Sequence, residues 1–223
     1  METELNIEKK KFFHSLTISL LMVAFVVLAF VVNYIFTLNW NDYGVQPRTF
    51  LGLLGIITMP FLHENWAHLF SNCLPLLFLL FGLYYYFGKK ASLILLMQLL
   101  LTGTLTWIIG RNDTHIGASG LVYALAFFMI TVSIIKKEVH MMGYTLIIIF
   151  LYGSIIWGFF PALFPNQNIS WEGHLSGAIS GVILAVFYRH EGPQRKEYFL
   201  DEEDEKEEEI ESEKHEDKKN IPL

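Results

Sequence analysis

Three polar clusters interrupt an otherwise apolar chain. The first holds His63, Glu64, His68, Ser71 and Asn72. The second holds Arg111, Asn112, Asp113, His115 and Ser119, and the third Glu172 and His174. Two kinds of chemistry are open to such residues. A serine hydroxyl is a weak nucleophile until a base takes its proton, which makes a serine–histidine pair a candidate for covalent catalysis. A histidine–glutamate–histidine run is a candidate for metal binding. A helical zinc pair needs His-Glu-x-x-His, with its histidines four apart. Here His63-Glu64 and His68 are five apart, which is about 140° round a helix, so the metal motif fails by one residue.

The elements that position these residues follow from composition. Of the 223 residues, 53% are apolar and 17% charged, against about 45–50% and about 25% in soluble domains. The segment Asp201–Lys219 carries twelve of the 22 acidic residues and four of the 16 basic ones. Without it the chain is oily and nearly neutral. An ordinary soluble enzyme is excluded, and so is a nucleic-acid binder, which needs a clustered basic face. Cys73 is the only cysteine, so a disulfide scaffold is excluded too. The body reads as one polytopic membrane domain.

A crossing takes about 20 mostly apolar residues. Six segments qualify: Phe13–Leu38, Ala67–Phe87, Ala91–Ile109, Ile116–Ile135, Val139–Leu163 and His174–Tyr188. The first is expected to be a retained helix, because its apolar run is too long for a cleaved leader and no small-residue cleavage site precedes Asn39. Lys and Arg beside spans stay cytoplasmic. Lys9–Lys11, Lys89–Lys90, Lys136–Lys137 and Arg189 with Arg195 and Lys196 all fall on one side, opposite Arg48 and Arg111. Both termini are therefore expected in the cytoplasm, and spans two, four and six start on the outer side. Three units are expected: a cytoplasmic segment 1–12, a six-span body 13–189, and an acidic, disordered cytoplasmic tail 190–223. Within the first outer connection, Thr49–Phe61 is too apolar for a free loop and too short to cross. It is expected to lie in the interface as a short helix ending near Pro60.

Polar side chains inside a bilayer are costly, at about 2.5–3.5 kcal/mol for a charge on insertion scales. All three clusters nevertheless sit at or just inside span starts of one orientation. His68 and Asn72 are four apart and share a helix face, as do Ser119 and Tyr123. His174, Gly177 and Gly181 form a stripe, and Gly117 and Gly120 flank Ser119. Small residues let membrane helices approach closely, so span six can pack on span four with His174 in reach of Ser119.

His68-Leu-Phe-Ser-Asn72, Gly117-Ala-Ser-Gly120-Leu-Val-Tyr123 and Gly173-His174-Leu-Ser-Gly177 resemble, in order, span and topology, the three signature segments of the rhomboid intramembrane serine proteases. The resemblance covers roughly Phe12–Arg189. It implies an all-α bundle of six transmembrane helices, the simpler prokaryotic-type layout. It implies a serine endopeptidase with a Ser119–His174 dyad and no carboxylate, Tyr123 stacked on the His174 ring, and oxyanion donors from His68, Asn72 and the Ser119 amide. Substrates would be single-span membrane proteins cut near the outer end of their helix. No cofactor and no metal is implied. The resemblance also implies substrate entry by span five, with Trp157, Phe159 and Phe160 as gate residues. A Trp-Arg pair common in the family's first outer loop is absent: Arg48 follows Pro47.

Competing readings are a non-catalytic relative that binds transmembrane helices and a metal-dependent membrane hydrolase. A transporter would need polar groups at mid-depth, where only Gln98 stands out. His63, His115 and Glu172 read as wet loop residues, with Glu172 a possible cap of span six. A bacterial inner membrane is the expected location.

Overall fold

The computed structural model describes residues 2–151 and 170–194. Their chain forms α1 (Glu2–Phe36), α2 (Gly52–Thr58), α3 (Trp66–Phe87), α4 (Ala91–Ile109), α5 (Ser119–Lys136), α6 (Val139–Leu151) and α7 (Trp171–Phe187). Short 3-10 turns at Trp40–Tyr43, Met59–Phe61 and Gly88–Lys90 join some of them. Among the described residues the only β-type pairing is an isolated antiparallel bridge between Val45 and His115.

Several boundaries have a local cause. α3 starts where the Asn65 side chain accepts the His68 N–H at 2.9 Å, and it ends at Gly88, whose φ is 49°. The 3-10 turn Gly88–Lys90 then leads directly into α4. α5 stops at Lys137 in the left-handed conformation. α7 starts at Ser170, whose hydroxyl accepts the Gly173 N–H at 3.3 Å. Hydrogen-bonding caps of this kind satisfy backbone donors that a helix end leaves unpaired.

α5 is the central element. Leu121–Ala126, Phe128, Met129 and Val132 are all buried, as expected of a helix that is apolar all round. α3, α4, α6 and α7 surround it. α1 packs outside, on α3, through Ser15, Ser19, Val26 and Phe30, while Leu20, Leu21, Phe25 and Leu28 face outward. The two serines hydrogen-bond carbonyls four residues back at 2.8 Å, so their hydroxyls cost little when buried. Helical stretches 5–36, 66–109 and 119–136 are long and apolar enough to cross a membrane, and 139–150 and 171–187 are shorter apolar helices.

Several boundaries differ from the sequence reading. α1 begins at Glu2, well before Phe13. α5 begins at Ser119, and Ile116–Ala118 form the loop before it. α7 begins three residues before His174, because Ser170 caps it. The segment expected in the interface is helical from Gly52 and closes in a 3-10 turn around Pro60. Trp157, Phe159, Phe160 and the acidic stretch 201–219 lie outside the described residues.

Candidate active site

The first turns of α3, α5 and α7 meet at one end of the bundle. The close approach of α5 and α7 explains how. A methyl group added at Gly177 would lie 2.1 Å from the Gly120 carbonyl oxygen, and one at Gly181 would lie 2.3 Å from that of Ala124. Only glycine lets the two backbones touch in this way. Gly120 is itself tight, with Thr102 Cγ2 3.1 Å and the Gly173 oxygen 3.2 Å from an added methyl.

That contact carries His174 to Ser119. His174 Nε2 is 3.0 Å from Ser119 Oγ. Tyr123, one turn further along α5, stacks on the imidazole with centroids 4.2 Å apart and planes 9° from parallel. His174 and Tyr123 are buried, and Ser119 is half-buried. The arrangement brings together a hydroxyl, an imidazole nitrogen in hydrogen-bond reach and a ring stacked on that imidazole, and activation of a serine would require such an arrangement.

Gly117 departs from the sequence reading. It does not pack helix on helix but lies in the loop before α5 with φ at 108°, a conformation that favours glycine. A methyl group there would meet His68 Nε2 at 2.6 Å and Asn72 Nδ2 at 3.6 Å. The two side-chain donors from α3 therefore come up against the loop that leads into Ser119. Asn72 is buried and donates to the His68 carbonyl at 3.1 Å. The Ser119 N–H, first in its helix, belongs to the donors with no partner within the helix.

The connection between α1 and α3 holds this end together. Val45 and His115 exchange backbone hydrogen bonds of 2.9 and 2.8 Å. Gly117 N–H donates to the Met59 carbonyl at 2.9 Å. Arg48 caps α4: its guanidinium donates to the carbonyls of Ile108 and Gly110 at 3.1 and 2.8 Å and also to Asn112 Oδ1. Arg48 thus has a structural task without a tryptophan before it.

Three residues read as wet loop positions are buried instead: His63 at 1%, His115 at 2% and Glu172 at 2% exposure. His63 stands edge-on to His68, centroids 5.0 Å apart, and its Nε2 accepts the Ala118 N–H at 3.5 Å. Burial, and then the neighbouring His68, push its pKa down to about 3. Among the described residues no three His, Cys, Asp or Glu side chains gather as a metal would require. Cys73 is buried.

Residues 51–191 match the Rhomboid domain family. The chain belongs to the rhomboid family. Uncharacterised proteins of Mycobacterium tuberculosis and Mycobacterium bovis are 34% identical over 189 residues, which covers 78% of this chain and 76% of theirs. One from Mycobacterium leprae is 32% identical over 202 residues, covering 87% of this chain and 78% of its own length. This rhomboid is accordingly an integral membrane protein with a rhomboid-like helical bundle, of a family that generally consists of intramembrane serine proteases.

Proposed function

We propose that this rhomboid is an intramembrane serine endopeptidase. The observation that carries the reading is the 3.0 Å contact between His174 Nε2 and Ser119 Oγ, under a Tyr123 ring parallel to the imidazole. Ser119 attacks the scissile carbonyl as His174 takes its proton. The proton then passes from His174 to the leaving amine, and water releases the acyl group by the same route in reverse. Tyr123 orients the base, a task that a buried Asp performs in soluble triads. His68, Asn72 and the Ser119 N–H are the oxyanion donors, and preorganised donors of this kind are worth about 3–4 kcal/mol each in soluble proteases.

The substrates in this reading are single-span membrane proteins, cut near the outer end of their helix where it can unwind. Polar groups at span starts, opposite the lysine-rich side, support water access from outside. Both termini are cytoplasmic, the catalytic body is 13–189, 190–223 is the acidic tail, and the membrane is the bacterial inner one. The test is cleavage of a single-span reporter by purified protein in liposomes, beside Ser119→Ala and His174→Ala. The wild type is expected to cut and both variants to be inactive. Turnover by Ser119→Ala at the wild-type rate would refute the dyad. No cleavage by any of the three, in a panel of reporters, would favour a helix-binding relative without activity.

A further inference from the structure

The loop that delivers Ser119 and the turn that delivers His174 grip each other at two further points. Glu172, in the first turn of α7, is buried. Its carboxylate accepts from Arg111 Nη1 at 3.1 and 2.9 Å and from the Arg111 backbone N–H at 3.4 Å. The Arg111 side chain is partly exposed and also reaches Asp113 at 3.6 Å. The second point is Ser170, the cap of α7, whose Oγ lies 2.6 Å from His115 Nδ1. His115 Nε2 faces the Arg111 carbonyl at 3.2 Å. A carbonyl can only accept, so in the neutral imidazole Nε2 carries the proton and Nδ1 accepts from the Ser170 hydroxyl. The Ser170 oxygen remains free to accept the Gly173 N–H. The contacts form a closed ring: Arg111 to Glu172, along the α7 turn to Ser170, across to His115 and back to Arg111.

Stability alone does not account for this ring. The desolvation of a buried carboxylate roughly offsets the attraction of its counter-ion, so an apolar pair would hold as well. The pair instead sets geometry. Glu172 and His174 are two residues apart, about 200° round the helix. The ring and the dyad therefore hold α7 from nearly opposite sides, and together they fix its rotation. An imidazole tip about 5–6 Å from the helix axis moves about 2 Å when the helix turns by about 20°. A misplacement of about 1 Å can cost about 100-fold in rate.

We propose that the Arg111–Glu172 pair, with His115 and Ser170, is a clasp that keeps α7 in the rotation at which His174 meets Ser119. Arg111 and Glu172 are positioning residues and touch no reacting atom. The catalytic consequence rests on the Ser119–His174 reading; the holding of the turn does not.

The test uses the full chain in lipid nanodiscs, with Glu172→Gln, Arg111→Gln, the double variant and Arg111→Lys. Three readouts are taken: the rate of fluorophosphonate labelling at Ser119, kcat and KM on the reporter, and amide hydrogen exchange in residues 171–177. Glu172→Gln keeps shape and loses charge. It is expected to lower labelling and kcat about tenfold with KM within about twofold, and to raise exchange about tenfold. The double variant is expected to be no worse than the worse single one, since both remove one contact. Arg111→Lys is expected to recover part of the loss. Exchange and labelling within about twofold of wild type in both single variants, or losses that multiply in the double, would overturn the clasp. If the wild type neither labels nor cleaves, the protease reading fails, and the exchange measurement still decides whether the clasp holds the turn.

Discussion

Acidification should destabilise the fold through His63, and the size of the effect can be worked out. The imidazole is 1% exposed, and burial with its neighbour His68 holds its pKa at about 3 rather than 6.5. The folded protein therefore keeps His63 neutral throughout the usual pH range. The unfolded chain binds a proton there below about pH 6.5. Stability from this depressed pKa is fully present above 6.5 and is lost as pH falls from 6.5 towards 3. At pH 5 the protonated unfolded form gains about 1.5 pH units of free energy, or about 2 kcal/mol at about 1.36 kcal/mol per unit. At pH 8 it gains almost nothing. Thermal unfolding in detergent at pH 8 and pH 5 would measure the loss in wild type and in His63→Gln, which keeps an acceptor for Ala118 N–H and cannot titrate. Wild type should lose about 2 kcal/mol more than the variant between the two pH values, about 4–8 °C in Tm for a chain of this size. Equal losses in both proteins would refute a buried, neutral His63.

Three further predictions concern packing and the proposed oxyanion donors. Gly177→Ala drives a methyl into the Gly120 carbonyl oxygen, 2.1 Å away, so α7 must move; the expected cost is about 1–3 kcal/mol, with labelling of Ser119 reduced at least about tenfold. Gly143→Ala on α6 is its control, because nothing lies within 4 Å of the added methyl; a gain of up to about 1 kcal/mol in thermal unfolding, with labelling unchanged, is expected. In the proposed donor set Asn72→Ala removes one donor and leaves two, so kcat on the reporter should fall about 10²–10³-fold with KM little changed, a smaller loss than that of Ser119→Ala; a kcat equal to wild type would remove Asn72 from the set.

The fold class was legible because polar side chains are high-contrast marks in apolar spans. His68, Ser119 and His174 sit where hydropathy alone would place leucine, and the lysines between spans two and three and spans four and five mark every second turn. The start of α7 was legible in principle, since Ser170 followed by Glu172 is a capping signal, but the hydropathy window put it at His174. Gly117 was not legible. Small residues at such spacing read the same whether they pack two helices or, as here, permit a φ of 108° in a loop. The burial of His63, His115 and Glu172 was not legible either. It follows from the connection between α1 and α3 folding back onto the loop before α5, a contact between Val45 and His115 that no local pattern encodes.

The site's location has a physical reason that joins these observations. His68, Ser119 and His174 each lie in the first turn of a helix. First turns carry N–H groups without helical partners and the positive end of the helix dipole. Those are the features that favour negative charge, such as an oxyanion, and they exist only at helix ends. A helix centre in a bilayer would supply neither donors nor water, and a polar group there would have no compensation. Three helices that start on one side can pool their first turns only if two of them touch without side chains between, as Gly120 and Gly177 do. The glycines and the polar residues are thus one requirement: the first set the distance at which the second can meet. A mutation at Gly177 should therefore alter the chemistry at Ser119 more than its effect on stability alone would account for.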